Sequence, residues 1–333
     1  VSAASPRPPA APALREIQAP VRAQLERVSD ELRRIVSADF PLITEVNEHL
    51  LQMRGKMFRP TLTLLASEVE ETPQPRVTTM AAVVELLHLA TLVHDDAVDH
   101  SALRRGMPTV NSVFSHQISV IMGDYLYSRA LATLVTEGDM EPVRILTEVS
   151  TQMSMGEMRQ LAALDRLSFG EDEYFALNRG KTASLLSGAC EIGALCGALR
   201  YRAVLARYGE LLGMAFQVAD DLLDYTEVTA VIGKPSGLDL RERKVTLPLI
   251  AALRTMRTPA RARVERLFAQ EEPDDASIAE VVAIVAEHGG IEYARRRGEL
   301  FADEAEETLQ GLPDSAARNA LSDAITYVME RRW

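Results

Sequence analysis

The sequence predicts an all-α fold: a single large helical bundle with a central cavity between helices that carry two aspartate-rich motifs. Three observations carry this expectation. From Ala13 onward apolar residues recur at spacings of three and four, while period-two alternation is essentially absent. Gly, Pro and Asp gather at a few breaks instead of being spread along the chain. Finally, two Leu/Val/Ala-rich runs free of turn residues end in the same acidic pattern. One holds Asp95, Asp96 and Asp99 in L-V-H-D-D-A-V-D, the other Asp220, Asp221 and Asp224 in Q-V-A-D-D-L-L-D.

Taken in order, residues 1–12 are rich in Pro, Ala and Ser and read as a disordered tail, with residues 13–333 as one helical domain. Pro60 suits the first turn of a helix over T-L-T-L-L-A-S-E-V-E. Breaks follow at Glu71 to Pro75, Arg104 to Pro108, Glu137 to Asp139, Phe169 to Asp172, Ile232 to Gly237 and Glu272 to Asp275. No composition shift or long linker divides the chain, and the central helices are apolar on most faces, hence buried. The run Ala81 to Val93 is interrupted by Glu85 and His88 and reads as too short to span a bilayer. Cys190 and Cys196 lie six apart in a small-residue helical run, which fits buried packing in a reducing compartment. A net charge of −12 argues against nucleic-acid binding. With no signal-like apolar core near the start, a cytoplasmic location is expected.

The acidic clusters carry the chemistry. On a helix, positions i and i+4 share a face, so each cluster gathers carboxylates at one helix end. Buried together they repel and are costly to desolvate unless cations sit among them. Two such ends facing each other offer oxygen ligands to Mg²⁺, which favours a few carboxylates, waters and phosphate oxygens. A metal-chelated polyphosphate is the ligand expected. The clusters also belong to an internal match: Glu85 to Asp99 aligns with Glu210 to Asp224, with eight of fifteen positions identical. Convergent helix composition explains the leucines, but not a Glu ten residues before each aspartate pair. Two pseudo-symmetric cavity walls are expected, with His88/Gly213 and Thr91/Phe216 marking different tasks.

Basic residues accompany the clusters. Arg104 and Arg105 follow Asp99 where its helix is expected to end, at Gly106 and Pro108. Alone they would read as C-terminal dipole partners or surface pairs. Lys56 and Arg59 in R-G-K-M-F-R-P, Lys181 in R-G-K-T-A, and Lys234 and Lys244 around G-K-P-S-G-L-D-L-R-E-R-K add further cations. R-G-K-T-A lacks the first glycine of a P-loop and no strand precedes it.

Assembled, these segments resemble the trans-isoprenyl (polyprenyl) diphosphate synthases over nearly the whole chain, and are most similar to the bacterial medium- and long-chain members. The likeness rests on G-K-x-x-R-P, D-D-x-x-D-x-x-x-x-R-R-G, G-D-Y-L-Y-S-R-A, G-E-M-R-Q-L, K-T-A, and Q-V-A-D-D-L-L-D followed by G-K-P-x-G-x-D-L. The resemblance implies an isoprenoid-synthase-type bundle and a Mg²⁺-dependent prenyltransferase. It would condense an allylic prenyl diphosphate with successive isopentenyl diphosphates, head to tail. It further implies direct Mg²⁺ ligation by Asp95, Asp99 and Asp220, with Asp96, Asp221 and Asp224 acting through waters. About three Mg²⁺ per site are implied, Mn²⁺ being able to substitute. Arg104, Lys181 and Lys234 would hold the allylic diphosphate, and Lys56, Arg59, His88 and Arg105 that of isopentenyl diphosphate. Thr182 and Gln217 would line the place where the allylic cation forms. Asp239 and Lys244 belong to a segment expected to close the site. Arg54, Met57 and Arg243 depart from the family pattern, standing where glycine, arginine and glycine are common.

The resemblance also implies a product length, since short-chain members of the family tend to carry aromatic rings on the helix just before the first cluster. Thr91 and Ala90, four and five residues before Asp95, are small, and Leu87, Val84 and Val83 line the next turns. Met122, Leu126 and Leu131 are expected opposite them, with Tyr125 or Tyr127 as a stopper if either points inward. A hexaprenyl to decaprenyl product is expected, ahead of a farnesyl or geranylgeranyl one. A terpene cyclase, a non-catalytic synthase subunit and an acidic Ca²⁺-binding protein are the competing readings. The intact second D-D-L-L-D, the intact first cluster with its arginines, and the absence of an EF-hand loop respectively count against them. A homodimer through the region Met122 to Ala132 is expected, with no transmembrane segment and with peripheral membrane contact during product release.

Overall fold

The computed structural model describes residues 12–53, 55–70, 72–226 and 237–330. The tail before residue 12, Arg54, Lys234 and most of the break at Ile232 to Gly237 therefore lie outside the described residues. The helices run α1 Leu14–Ile17, α2 Arg22–Val36, α3 Pro41–Gln52, α4 Phe58–Ser67 and α5 Val77–Val98. After a short hairpin come α6 Val110–Val113, α7 His116–Glu137, α8 Met140–Ala163 and α9 Glu171–Asn178. A π-helical turn over Arg179–Ala183 leads into α10 Ser184–Gly197 and α11 Arg202–Thr226. The chain closes with α12 Leu238–Arg241, α13 Leu247–Thr255, α14 Thr258–Phe268, α15 Asp275–Glu287, α16 Gly290–Leu309 and α17 Ala316–Met329.

Several breaks act through their own residues. Gly138 ends α7 at φ +75°, and the Asp139 carboxylate caps α8 by accepting from Glu141 N–H at 3.0 Å. Asp274 caps α15 in the same way, accepting from Ser277 N–H at 2.7 Å. One break behaves differently from its sequence. The helix of the first cluster stops at Val98 rather than near Gly106, and Leu103–Arg104 pairs with Met107–Pro108 as an antiparallel hairpin. Its two turn residues, Arg105 and Gly106, have φ of +53° and +75°, the left-handed pair a tight hairpin requires. The turn folds the chain back and brings Arg104 to Asp96.

Helix α5 runs through the centre, against α2, α4, α7 and α10, and α10 separates it from α11. Ala81 to Leu87 are buried all round the helix, so polarity returns only toward its C-terminal end. The helix that contains Ala81 to Val93 is longer than that run, spanning Val77–Val98. By length and composition alone it could cross a membrane, but 61% of its apolar 18-residue window is buried inside the protein, as in a core helix. Cys190 and Cys196 are both buried and unpaired on α10.

Candidate active site

The first cluster sits where α5 frays. The Asp99 N–H closes the last turn on the Asp95 carbonyl at 2.8 Å, and the Ser101 N–H bonds to the Asp96 carbonyl at 3.0 Å. Asp96 is buried, and Arg104 donates from Nε to both its carboxylate oxygens, at 2.8 and 2.9 Å. Asp95 is half-buried with a pKa pushed up to about 6. Burial is the largest cause, then the Glu157 carboxylate, with Asp99 adding to it and Lys181 and Arg104 opposing. The carboxylates of Asp95 and Asp99 accept no hydrogen bond from the described residues.

The second cluster sits at the end of α11. Asp221 is buried, and burial lifts its pKa to about 7 despite two donors. Those donors are the Tyr174 hydroxyl at 2.5 Å and Gln217 Nε2 at 2.9 Å. Gln217 Oε1 in turn accepts from Thr182 Oγ1 at 3.0 Å. Asp224 caps α12, its two oxygens each accepting a backbone N–H, from Leu238 and Asp239, at 2.9 Å. Asp220 is half-buried beside them. Asp239 is raised by burial and then by Asp221 and Asp224, while Lys244 opposes.

Two lysines link the clusters. Lys181 lies close enough to Asp95 to pull its pKa down, and it lines a cavity of about 200 Å³ together with Gln217, Asp221, Asp239 and Lys244. Glu157 holds the Lys181 ammonium at 2.6 Å and Gln160 accepts from it at 2.9 Å. Lys244 pairs with Glu242 at 2.5 Å and feels both Asp239 and Asp99. Lys181 and Thr182 belong to the π-turn, and inserted turns of this kind recur at functional sites. Missing side chains let the neighbouring helices press on this turn. A Cβ on Gly156 of α8 would stand 2.5 Å from Lys181 N, and one on Gly213 of α11 would stand 2.5 Å from Ala183 Cα. Gly213 is where the internal match has His88, so one wall has given up a side chain to seat the π-turn.

His88 has the other task. It is buried, and its pKa falls well below the ordinary value, first through burial and then through Arg59, Arg105 and Arg104. It is a neutral imidazole inside an arginine cluster. Arg105 donates to the Met53 carbonyl at 3.2 Å, and Lys56 donates to the Tyr327 hydroxyl at 3.2 Å. Glu85 is buried near Arg59 and Arg105. The sequence-predicted residues thus form two basic groups. Lys181 and Lys244 lie between the clusters, and Lys56, Arg59, His88 and Arg105 gather beside Gly55.

Below the first cluster Thr91 is half-buried, while Ala90, Leu87, Val84, Val83, Met122 and Leu126 are buried in the core. Tyr125 turns away, its hydroxyl donating to the Val36 carbonyl at the end of α2 at 3.1 Å, which removes it as a stopper. His94 seats α5 on α7, with Nε2 3.1 Å from the Val120 carbonyl and 3.4 Å from Asp124. Sequence reading gave no role to Glu157, Gln160 or Tyr174. The first two lie in G-E-M-R-Q-L, a visible motif; Tyr174 carried no local signal.

No three His, Cys, Asp or Glu side chains among the described residues converge tightly enough to hold a metal by themselves. Mg²⁺ takes one or two carboxylates with water and phosphate oxygens, and the Asp95 and Asp99 carboxylates, which accept no hydrogen bond from the described residues, could supply such oxygens.

Comparison with known proteins adds an independent line. The profile of the family described as Polyprenyl synthetase matches residues 40–285. The chain is 36% identical, over 321 residues, to the all-trans-nonaprenyl-diphosphate synthase (geranyl-diphosphate specific) of Rhodobacter capsulatus, covering 95% of this chain and 97% of the relative. Among solved structures it is similar to a decaprenyl diphosphate synthase from Rhodobacter capsulatus, with a TM-score of 0.90, 37% identity, and 96% and 99% of the two chains covered. A polyprenyl synthase from Caulobacter crescentus CB15, complexed with calcium and isoprenyl diphosphate, matches with a TM-score of 0.90, 31% identity, and 98% and 100% covered.

Proposed function

The chain belongs to the polyprenyl synthetase family and is a trans-prenyltransferase, and on that premise we propose that it extends an allylic prenyl diphosphate with successive isopentenyl diphosphates to a product in the hexaprenyl to decaprenyl range. One observation carries the assignment of the site. Lys181 stands beside Asp95 while lining the same cavity as Asp221, so both aspartate clusters address one cation-lined space.

In this reading Asp95, Asp99 and Asp220 hold Mg²⁺, about three ions per site, with Mn²⁺ able to substitute. Asp96, Asp221 and Asp224 act through waters. The hydrogen bonds favour an indirect role for the latter three, because Arg104, the Tyr174–Gln217 pair and the α12 backbone already engage both oxygens of each. When bound, the metal supplies positive charge to the leaving diphosphate. Arg104, Lys181 and Lys234 hold the allylic diphosphate, of which Lys181 must release Glu157 to do so. Lys56, Arg59, His88 and Arg105 hold the diphosphate of isopentenyl diphosphate, the neutral His88 donating a hydrogen bond without adding charge. Thr182 and Gln217 face the allylic cation. In this reading none of the described side chains is assigned as general base, and the departing diphosphate takes the proton lost from the adduct.

Thr91 and Ala90 place no aromatic ring under Asp95, which supports a long product, as do the nonaprenyl and decaprenyl names of the relatives. We assign a homodimer as well. Within the expected region Met122 to Ala132, Met122, Leu126 and Ala130 are buried in the protomer's own core, so the surface assigned is instead the exposed side of α7 and α8, where Ile121, Val135, Met155, Met158 and Leu161 form an apolar surface of the kind paired subunits cover. The test is chromatography of the products made from farnesyl diphosphate and labelled isopentenyl diphosphate. Medium- or long-chain products that need Mg²⁺ and vanish in chelator are expected. Products stopping at geranylgeranyl length would overturn the chain length, and no elongation with metal present would overturn the reaction.

A further inference from the structure

Four side chains from three separate elements form one hydrogen-bonded line across the cavity. Tyr174 on α9, only 3% exposed, donates its hydroxyl to Asp221 Oδ2 at 2.5 Å. Asp221 on α11, 5% exposed, accepts from Gln217 Nε2 on its other oxygen at 2.9 Å, and Gln217 Oε1 accepts from Thr182 of the π-turn at 3.0 Å. The direction of this line is chemically fixed. The Tyr174 hydroxyl and Gln217 Nε2 both donate to Asp221, so Gln217 turns its amide nitrogen to Asp221 and its oxygen to Thr182. Turned the other way, the amide oxygen would face the Asp221 carboxylate, two acceptors without a proton between them. The Tyr174 hydroxyl holds the Asp221 end of this line. Without it, Asp221 Oδ2 is a buried acceptor with no partner and the carboxylate is free to rotate.

We propose that Tyr174 is a positioning residue for prenyl transfer: through Asp221 it locks the Gln217 amide with its oxygen toward Thr182, a fixed negative dipole facing the place where the allylic cation forms. The inference rests on the reaction assigned above. A preoriented dipole lowers the energy of a developing cation more than that of the neutral bound substrate, so its loss falls on kcat and not on KM.

The experiment is steady-state kinetics of the full chain and its Tyr174→Phe variant with Mg²⁺, farnesyl diphosphate and isopentenyl diphosphate. The variant should lose at least about tenfold in kcat, with both KM values within about threefold of wild type. Asp221→Asn and the double variant Tyr174→Phe/Asp221→Asn should be equally slow within about twofold, because residues acting in one line do not add. Mn²⁺ binding followed by its paramagnetic resonance should be the same in wild type and Tyr174→Phe, which separates positioning from metal ligation. Should the Phe variant fail to fold, Tyr174→Phe/Asp221→Leu removes the orphaned charge as well and should be slow with both KM values kept. Wild-type kcat in the folded Phe variant (or in the Leu pair where that variant is used), additive losses, or a shift in Mn²⁺ affinity each overturn the relay. An inactive wild type overturns the reaction and the relay together, whereas an active wild type with a fast Phe variant sinks the relay alone.

Discussion

Asp95→Asn should make the metal-free protein more stable and, at the same time, inactive. In the fold the Asp95 carboxyl is raised from its ordinary 3.8 to about 6, because burial, Glu157 and Asp99 outweigh Lys181 and Arg104. At about 1.4 kcal/mol per pH unit, the ionised group costs the folded state at most about 3 kcal/mol. The sign follows from the direction: a raised carboxyl binds its proton more tightly in the folded chain. Folding is therefore unpenalised below about pH 4, and the penalty grows until pH passes about 6. Asparagine is neutral throughout. At pH 8 in chelator the variant should gain up to about 3 kcal/mol, and at pH 5 about half of that. For 333 residues, at roughly 2 cal/mol/K of unfolding entropy each, the gain at pH 8 is a rise of about 4 °C in Tm. Calorimetric melts of both proteins in chelator at pH 5 and pH 8 measure it. A variant that melts at or below wild type at pH 8, or a gap that does not narrow toward pH 5, refutes the reasoning. In Mg²⁺ the same variant should be slower by orders of magnitude, as should Asp220→Asn, since each removes a proposed direct ligand.

Further outcomes follow from the same geometry. Gly156→Ala sets a methyl 2.5 Å from Lys181 N and 2.9 Å from Lys181 Cβ, so the π-turn must shift. A loss of about 1–3 kcal/mol in urea unfolding and a raised KM for the allylic substrate are expected. Ala90→Phe should shorten the product to about farnesyl or geranylgeranyl length with turnover kept, and an unchanged product pattern would reject the channel along α5. Arg243 sits at φ +56° beside a half-exposed ion pair to Asp165 at 3.1 Å. Arg243→Gly should therefore stabilise by roughly 1 kcal/mol, since relief of the left-handed strain exceeds the lost pair. Light scattering at micromolar concentration should give a dimer mass, and a monomer would contradict the proposed use of the α7–α8 surface.

The departures from the family pattern gain meaning only in three dimensions. Met57 and Arg243 both adopt left-handed backbone, at φ +52° and +56°. At position 243 the backbone takes a conformation that glycine adopts without strain and arginine meets at a cost, and nothing in R-E-R-K announces it. The duplicated glutamates tell a similar story. Glu85 is buried near Arg59 and Arg105, whereas Glu210 forms a half-exposed pair with Arg179 at 2.7 Å, two residues before Lys181. Equal positions in the sequence match have unequal surroundings, because α5 runs through the core while α11 borders the π-turn.

The sequence alone determined the helical class, most of the breaks, the six aspartates and the spaced cations. These depend on local physics: a 3.6-residue period, caps and turn residues, and charges that no apolar helix end would otherwise carry. Tertiary structure decided where α5 stops, that Arg105 and Gly106 form a hairpin turn, and that Lys181 and Thr182 sit on a π-turn pressed between Gly156 and Gly213. It also decided that Tyr125 points to α2 and that Tyr174 reaches Asp221. The reason is common to all of them. Each depends on groups distant in sequence, such as Tyr174 and Asp221, whose meeting is set by how helices pack and not by the residues beside them.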